Sequence, residues 1–156
     1  MTIPNGAREL AVAGNTAYVG NLSAVYSVNV TNRSSPAIVG SVAAVATDLA
    51  LAGTRLYALS GSQFKIIDVG NPAAPVVLGT GSGFLTAWGI EVAGTRVFVA
   101  STEGREVVVF DVANPAQPLL LDTLPVPGDV WSITKTASFV YVGDRTATVN
   151  VVSVGS

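Results

Sequence analysis

Short apolar stretches separated by Gly, Asn and Pro run the length of the chain, and none keeps the 3.6-residue period of an amphipathic helix. Residues 10–20, LAVAGNTAYVG, place apolar side chains on both sides of Gly14-Asn15, a pair suited to the positive φ angles of a two-residue hairpin. The pattern returns as LALAGTRLYAL from Leu49, IEVAGTRVFVA from Ile90 and, more loosely, ITKTASFVYVG from Ile133. Their aromatic positions, Tyr18, Tyr57, Phe98 and Tyr141, fall about forty residues apart, a period typical of solenoids and propellers.

Each hairpin is followed by a further apolar stretch: VYSVNV, FKIIDV, VVVFDV or TVNVVSV. In the first three units a proline-containing turn and one more stretch follow: IVGSV, VVLGT or LLLDTL. Short runs rich in Val, Ile and Tyr, bounded by turn residues, read as strands. A complete unit is therefore a four-stranded antiparallel meander, strands a to d, which is the form of one propeller blade. The pattern predicts an all-β fold: a single β-propeller, or half of one, with units at about residues 7–44, 45–85, 86–128 and 129–156. Aligning Val154 with Val30 puts Ser156 opposite Asn32, so the fourth unit is expected to lack its outer strand and to expose strand c as an apolar edge.

The phrases IIDVGNPAAP at 66–75 and VFDVANPAQP at 109–118 set Asp68 and Asp111 at the end of strand c, followed by Asn71-Pro72 and Asn114-Pro115. A short side chain there accepts hydrogen bonds from turn N–H groups, while proline fixes φ and withdraws a donor. These residues are expected to be structural. The first unit carries a degraded copy, with Asn29 for Asp and Arg33 for the first Pro.

The stretches KIIDVGNPAAPVVLG and VVVFDVANPAQPLLLD, with VAGTRVFVA before the latter, resemble the LVIVD repeats of bacterial and archaeal β-propeller proteins. The resemblance spans almost the whole chain and is strongest in the second and third units. It implies a propeller, commonly in surface or secreted proteins, with no shared catalytic residues, so it bears on fold more than on function.

Composition narrows the chemistry. At 49% hydrophobic and 12% charged residues the chain has ample material for a core. A net charge of −2, scattered along the sequence, gives no footprint for nucleic acid or an anionic membrane. Cysteine and histidine are absent, which removes disulfides, thiolate nucleophiles, imidazole bases and the usual zinc ligands. The opening MTIPNGAREL has no basic or apolar leader character, so a cytoplasmic protein or one with its signal removed is expected.

In propellers the d–a and b–c loops share the face around the channel mouth, where ligands commonly sit. Arg8, Thr47, Trp88 and Trp131 are expected at equivalent positions there, just before strand a, and Glu9, Asp48, Gly89 and Ser132 follow them. Two tryptophans near charged groups suit stacking on a sugar ring or clamping a peptide, while the commoner use of buried aromatics is to plug the channel or pack between blades. The candidate ligand-binding set is Arg8, Asp48, Trp88, Trp131, Arg105 and Arg145.

Other motifs carry less. Glu103 and Glu106 in STEGRE, with Asp144 nearby in phase, allow a paired-carboxylate hydrolase reading, but solvated loop charges account for them. They lack calcium-loop spacing, and no metal or cofactor is expected. GTGSG at 79–83 precedes strand residues rather than the helix a phosphate loop needs. The sequons beginning at Asn21, Asn29 and Asn32 include two turn asparagines. The leading expectation is a non-enzymatic module binding protein or carbohydrate through the d–a/b–c face. The alternative is an assembly unit completing a larger propeller, with a homodimer forming an eight-bladed ring, and the third reading is a hydrolase or lyase.

Overall fold

The computed structural model describes residues 1–136, 139–145 and 149–153. Within them lie fifteen strands and no helix. The first sheet holds β1 (Glu9–Ala13), β2 (Thr16–Gly20), β3 (Val25–Asn29) and β4 (Ala37–Val42), and the second β5 (Asp48–Ala52), β6 (Arg55–Ser60), β7 (Gln63–Asp68) and β8 (Val76–Ser82). The third holds β9 (Ala87–Ala93), β10 (Arg96–Ser101), β11 (Glu106–Asp111) and β12 (Leu119–Pro125). The fourth has three strands, β13 (Val130–Lys135), β14 (Phe139–Asp144) and β15 (Val149–Ser153). All neighbours within a sheet run antiparallel in sequence order, so each sheet is a meander and one blade of a β-propeller. The expected end of the fourth unit, from Val154 to Ser156, lies outside the described residues.

The hairpins follow their sequence signal. Ala13 pairs with Thr16 around Gly14-Asn15, and Gly14, Gly53 and Gly94 take φ angles of 56°, 58° and 58° that only glycine adopts without strain. Side chains then alternate across each sheet, one set facing the preceding blade and the other the following one.

Inner strands lie side by side in series, β1 on β5, β5 on β9 and β9 on β13. One apolar cluster fills each junction. Tyr18 and Val25 of the first blade meet Leu56, Ile67 and Val69 of the second. Tyr57, Phe64 and Ile66 then meet Ile90, Val97 and Phe110 of the third, and Phe98, Val107 and Val109 meet Val130, Val140 and Val142 of the fourth. The middle junction is the aromatic one: the rings of Phe64 and Phe110 are 5.1 Å apart and edge-on, with Phe84 completing the group. No comparable packing joins β13 back to β1 among the described residues, so the four blades form an open arc.

The recurring turn has a role between blades. Asp68 Oδ1 accepts from the Gly70 N–H and Asp111 Oδ1 from the Ala113 N–H, both at 2.8 Å, and Asn29 serves the Thr31 N–H in the same way. Three residues on, Asn71 and Asn114 repeat the device for Ala73 and Ala116. The turn so held lies against the outer strand of the preceding blade. A Cβ at Gly40 would come within 2.3 Å of the Pro72 carbonyl oxygen, and one at Gly79 within 2.0 Å of that of Pro115. Each glycine sits at the bulge of its outer strand, opposite Ser27 and Ile66 respectively. The third blade has Asp122 at this position, and its side chain is exposed.

Candidate functional site

Both tryptophans owe their direction to a β-bulge. On β9 the register passes from Gly89 opposite Ala100 to Ala87 opposite Ser101, leaving Trp88 as the extra residue. On β13 it passes from Ser132 opposite Gly143 to Val130 opposite Asp144, leaving Trp131 extra in the same way. A bulge re-aims the side chain it carries. Here the two indoles come from adjacent blades and stack, with centroids 5.4 Å apart and planes 7° from parallel. The pair packs between blades and still leaves surface open, with Trp88 38% and Trp131 40% exposed.

Cations and an ion pair flank the stack. The Arg145 guanidinium carbon lies 4.5 Å from the Trp131 ring centroid, within the reach of a cation–π contact. The Arg145 N–H donates to the Asp129 carbonyl, which fixes the b–c loop against the d–a loop of the same blade. Asp129 in turn accepts from Arg105 Nε at 3.2 Å, across from the third blade to the fourth. Both partners are largely solvated, so the pair contributes little stability and serves mainly to orient charge. Arg105 takes a positive φ of 51° in its tight loop, and the Val126 N–H donates to its carbonyl.

The carboxylates of the first and second blades are tied into the scaffold. Asp48 Oδ1 accepts from its neighbour Leu49 and Oδ2 from the Ile90 N–H, both at 2.8 Å, so this carboxylate links the second and third blades. Burial pushes its pKa up, against the lowering by those two backbone bonds. Glu9 is also raised, first by burial, then by the Asp48 charge, with Arg8 opposing. Arg8 itself is exposed, and its N–H donates to the Gly20 carbonyl. The structure thus gathers Trp88, Trp131, Arg145 and Arg105 on the third and fourth blades, sets Arg8 and Glu9 on the first, and places Asp48 between them, bonded to the strand that carries Trp88.

Asn21 had only a sequon to mark it. Its side chain is buried and its Nδ2 donates to the carbonyls of Pro4 and Gly6 at 2.7 and 2.9 Å, while Oδ1 accepts from Ser23 and Ala24. It pins residues 3–8 so that Ile3 packs with Ala17, Val19 and Val28 on the outward face of the first blade. A buried asparagine in phase with Ser60, Ser101 and Asp144 was the available signal. Among the described residues no cluster of three or more acidic side chains is placed to hold a metal ion. Nor is any helix among them long and apolar enough to cross a membrane.

A protein-family model, that of the LVIVD repeat, matches residues 5–44, 45–80 and 86–124. No curated protein matches the chain. Three solved structures are similar in fold, each at 14% sequence identity. The computationally designed Ika4 protein aligns over 98% of this chain and 94% of its own, with a TM-score of 0.77. The Cps50 (Swd1) β-propeller domain of Myceliophteria thermophila aligns over 96% of this chain but 54% of its own, with a TM-score of 0.81. BamB from Moraxella catarrhalis aligns over 91% and 41%, with a TM-score of 0.70. At this identity the likeness establishes the propeller fold alone. The chain spans about half the length of the latter two.

Proposed function

The chain belongs to the LVIVD-repeat family, and from that premise we propose that it is a non-enzymatic binding module that takes a protein or carbohydrate ligand on its d–a/b–c face. The observation that carries this reading is the stacked, two-fifths exposed pair Trp88–Trp131, with Arg145 on Trp131 and the Arg105–Asp129 pair beside it. Exposed indoles lower their free energy by covering an apolar or CH-rich surface, and the neighbouring guanidinium groups give such a surface polar orientation. The two carboxyls with raised pKa values, Glu9 and Asp48, lie on the first and second blades, and Asp48 is engaged by the backbone N–H groups of Leu49 and Ile90. That engagement favours a scaffold role for Asp48 over acid–base chemistry. Intrinsic tryptophan fluorescence, followed while a glycan panel and a displayed peptide library are titrated, tests the reading. A response abolished in Trp88→Ala and Trp131→Ala supports it, and ligands that bind equally to both variants defeat it.

A second reading concerns assembly, and the open arc favours it. Two copies joined head to tail supply eight blades and close a ring, within the range of about four to eight blades that propellers use. The length of the Cps50 propeller domain, about twice the span matched here, is in keeping with a half-ring. Mass in solution tests it: a species of twice 15.8 kDa is expected, and a monomer at every concentration opposes it.

A further inference from the structure

We propose that the two end faces of the arc are the halves of one blade junction, and that a second copy of this chain is the occupant of each. The proposal rests on the head-to-tail reading above and names the residues that make the contact.

At the three internal junctions the same sites recur. The leading blade offers an aromatic on strand b and apolar residues on strand c, and the following blade receives them on strand a and on the other face of strands b and c. In the first three blades the offering sites are Tyr18, Tyr57 and Phe98, with Val25, Phe64 and Val107 on strand c, and all six are buried. The fourth blade carries the same set as Tyr141 and Val149, joined by Val151 and Phe139. These face outward from the arc, with Val149 67% exposed. The receiving sites on strand a are Leu49, Ile90 and Ile133, each packed in a junction. On the first blade the corresponding residue is Leu10, 62% exposed, with Val12 exposed beside it. Two exposed patches of this kind are uncommon on a soluble chain unless something covers them.

The first blade is also prepared for that neighbour. Ile3 stands where Val42 and Val126 stand at internal junctions, and it already packs on Ala17, Val19 and Val28. The first junction adds a polar contact, where the second instead has Arg55 donating to the Val112 carbonyl. At the first junction the Tyr18 hydroxyl donates to the Val69 carbonyl at 3.2 Å. Tyr141 is the equivalent donor and Val30 the equivalent acceptor, and among the described residues neither has the other's kind as partner. In the closed pair the Tyr141 hydroxyl donates to the Val30 carbonyl of the second copy, twice by symmetry.

Sedimentation of the full chain over a wide concentration range, together with three variants, tests this. Leu10→Asp disables the receiving face and Val149→Asp the offering face. Both sites are solvent-exposed, and circular dichroism checks that each variant is folded. Each alone should be monomeric, yet an equimolar mixture should recover a one-to-one dimer through its single intact junction. A mixture that stays monomeric while the parent chain dimerises overturns the face assignment but leaves dimerisation standing. A parent chain that is monomeric throughout defeats the head-to-tail reading itself, and a ladder of larger species overturns the closed pair. Tyr141→Phe should weaken the dimer by about five- to tenfold per hydrogen bond lost. An unchanged dimer would show that the hydroxyl has no such partner.

Discussion

The internal junctions and the two ends of the arc use the same residue positions in opposite surroundings. Phe64 and Tyr57 are buried within the middle junction, while their equivalents Val149 and Tyr141 stand on the outward face of the last blade, Val149 exposed and Tyr141 half-buried. Leu10 and Ile90 differ in the same sense. The difference teaches that a blade's apolar pattern is a property of the repeat, whereas its stabilising effect depends on a neighbour being present. Identical side chains are worth a few kcal/mol each when covered and close to nothing when wet.

Substitution sets that contrast most sharply. Phe64→Ala should cost about 3–5 kcal/mol, by lost burial and by the cavity left among Phe84 and Phe110. Leu10→Ala should stay within about 0.5 kcal/mol in dilute solution, where its face is wet. Urea unfolding of both variants measures the gap. Equal losses would mean that the end face is covered in the dilute chain, and the distinction between junction and end would disappear.

A second pair of variants places the comparison on the backbone. Gly79→Ala pushes a methyl group into the Pro115 carbonyl and should cost about 1–3 kcal/mol, as overpacking does. Asp122→Ala, at the same position of the third blade, should change stability by no more than about 0.5 kcal/mol. Thermal unfolding of the two checks this, and a tolerant Gly79 would show that the turn yields.

The smallest effect is one of pH. Glu9 and Asp48 are both raised by burial, with the Asp48 charge adding to the shift at Glu9. The folded chain therefore holds these protons more tightly than the unfolded one. Their contribution to stability is complete below the ordinary values of 4.5 and 3.8 and is lost as pH rises through the raised ones. Asp48→Asn, which keeps an acceptor oxygen, should flatten this part of the profile above its ordinary value of 3.8. Urea midpoints across that range measure it, and an unaltered slope would remove Asp48 from the account.

Much of the architecture was legible because its causes are local. The Gly14-Asn15 hairpin and its repeats and the Asp68 and Asp111 turns all follow from short-range conformational preference. What escaped depends on partners distant in the chain. The bulges that turn Trp88 toward Trp131 add one residue to a strand without changing its composition, so the equivalence of the two positions was readable but their contact was not. Asp48 looked like a mouth carboxylate free for ligand, and its tie to the Ile90 N–H is visible only once two blades are side by side. Asn21 read as a sequon because nothing local tells that residues 3–8 fold back over it.

The fit of the Pro72 and Pro115 turns against Gly40 and Gly79 constrains how such arrays lengthen by tandem duplication. A copied blade brings its own rigid turn, and the blade ahead must already offer a gap without a side chain at the matching place. Gly40 and Gly79 meet that requirement and Asp122 does not. A fifth unit of the second or third type appended after the third blade would therefore collide at its first contact, and Asp122→Gly would be the permissive change. Growth of the ring is thus gated by a single position in the outer strand of the preceding blade, independent of the apolar pattern that drives packing.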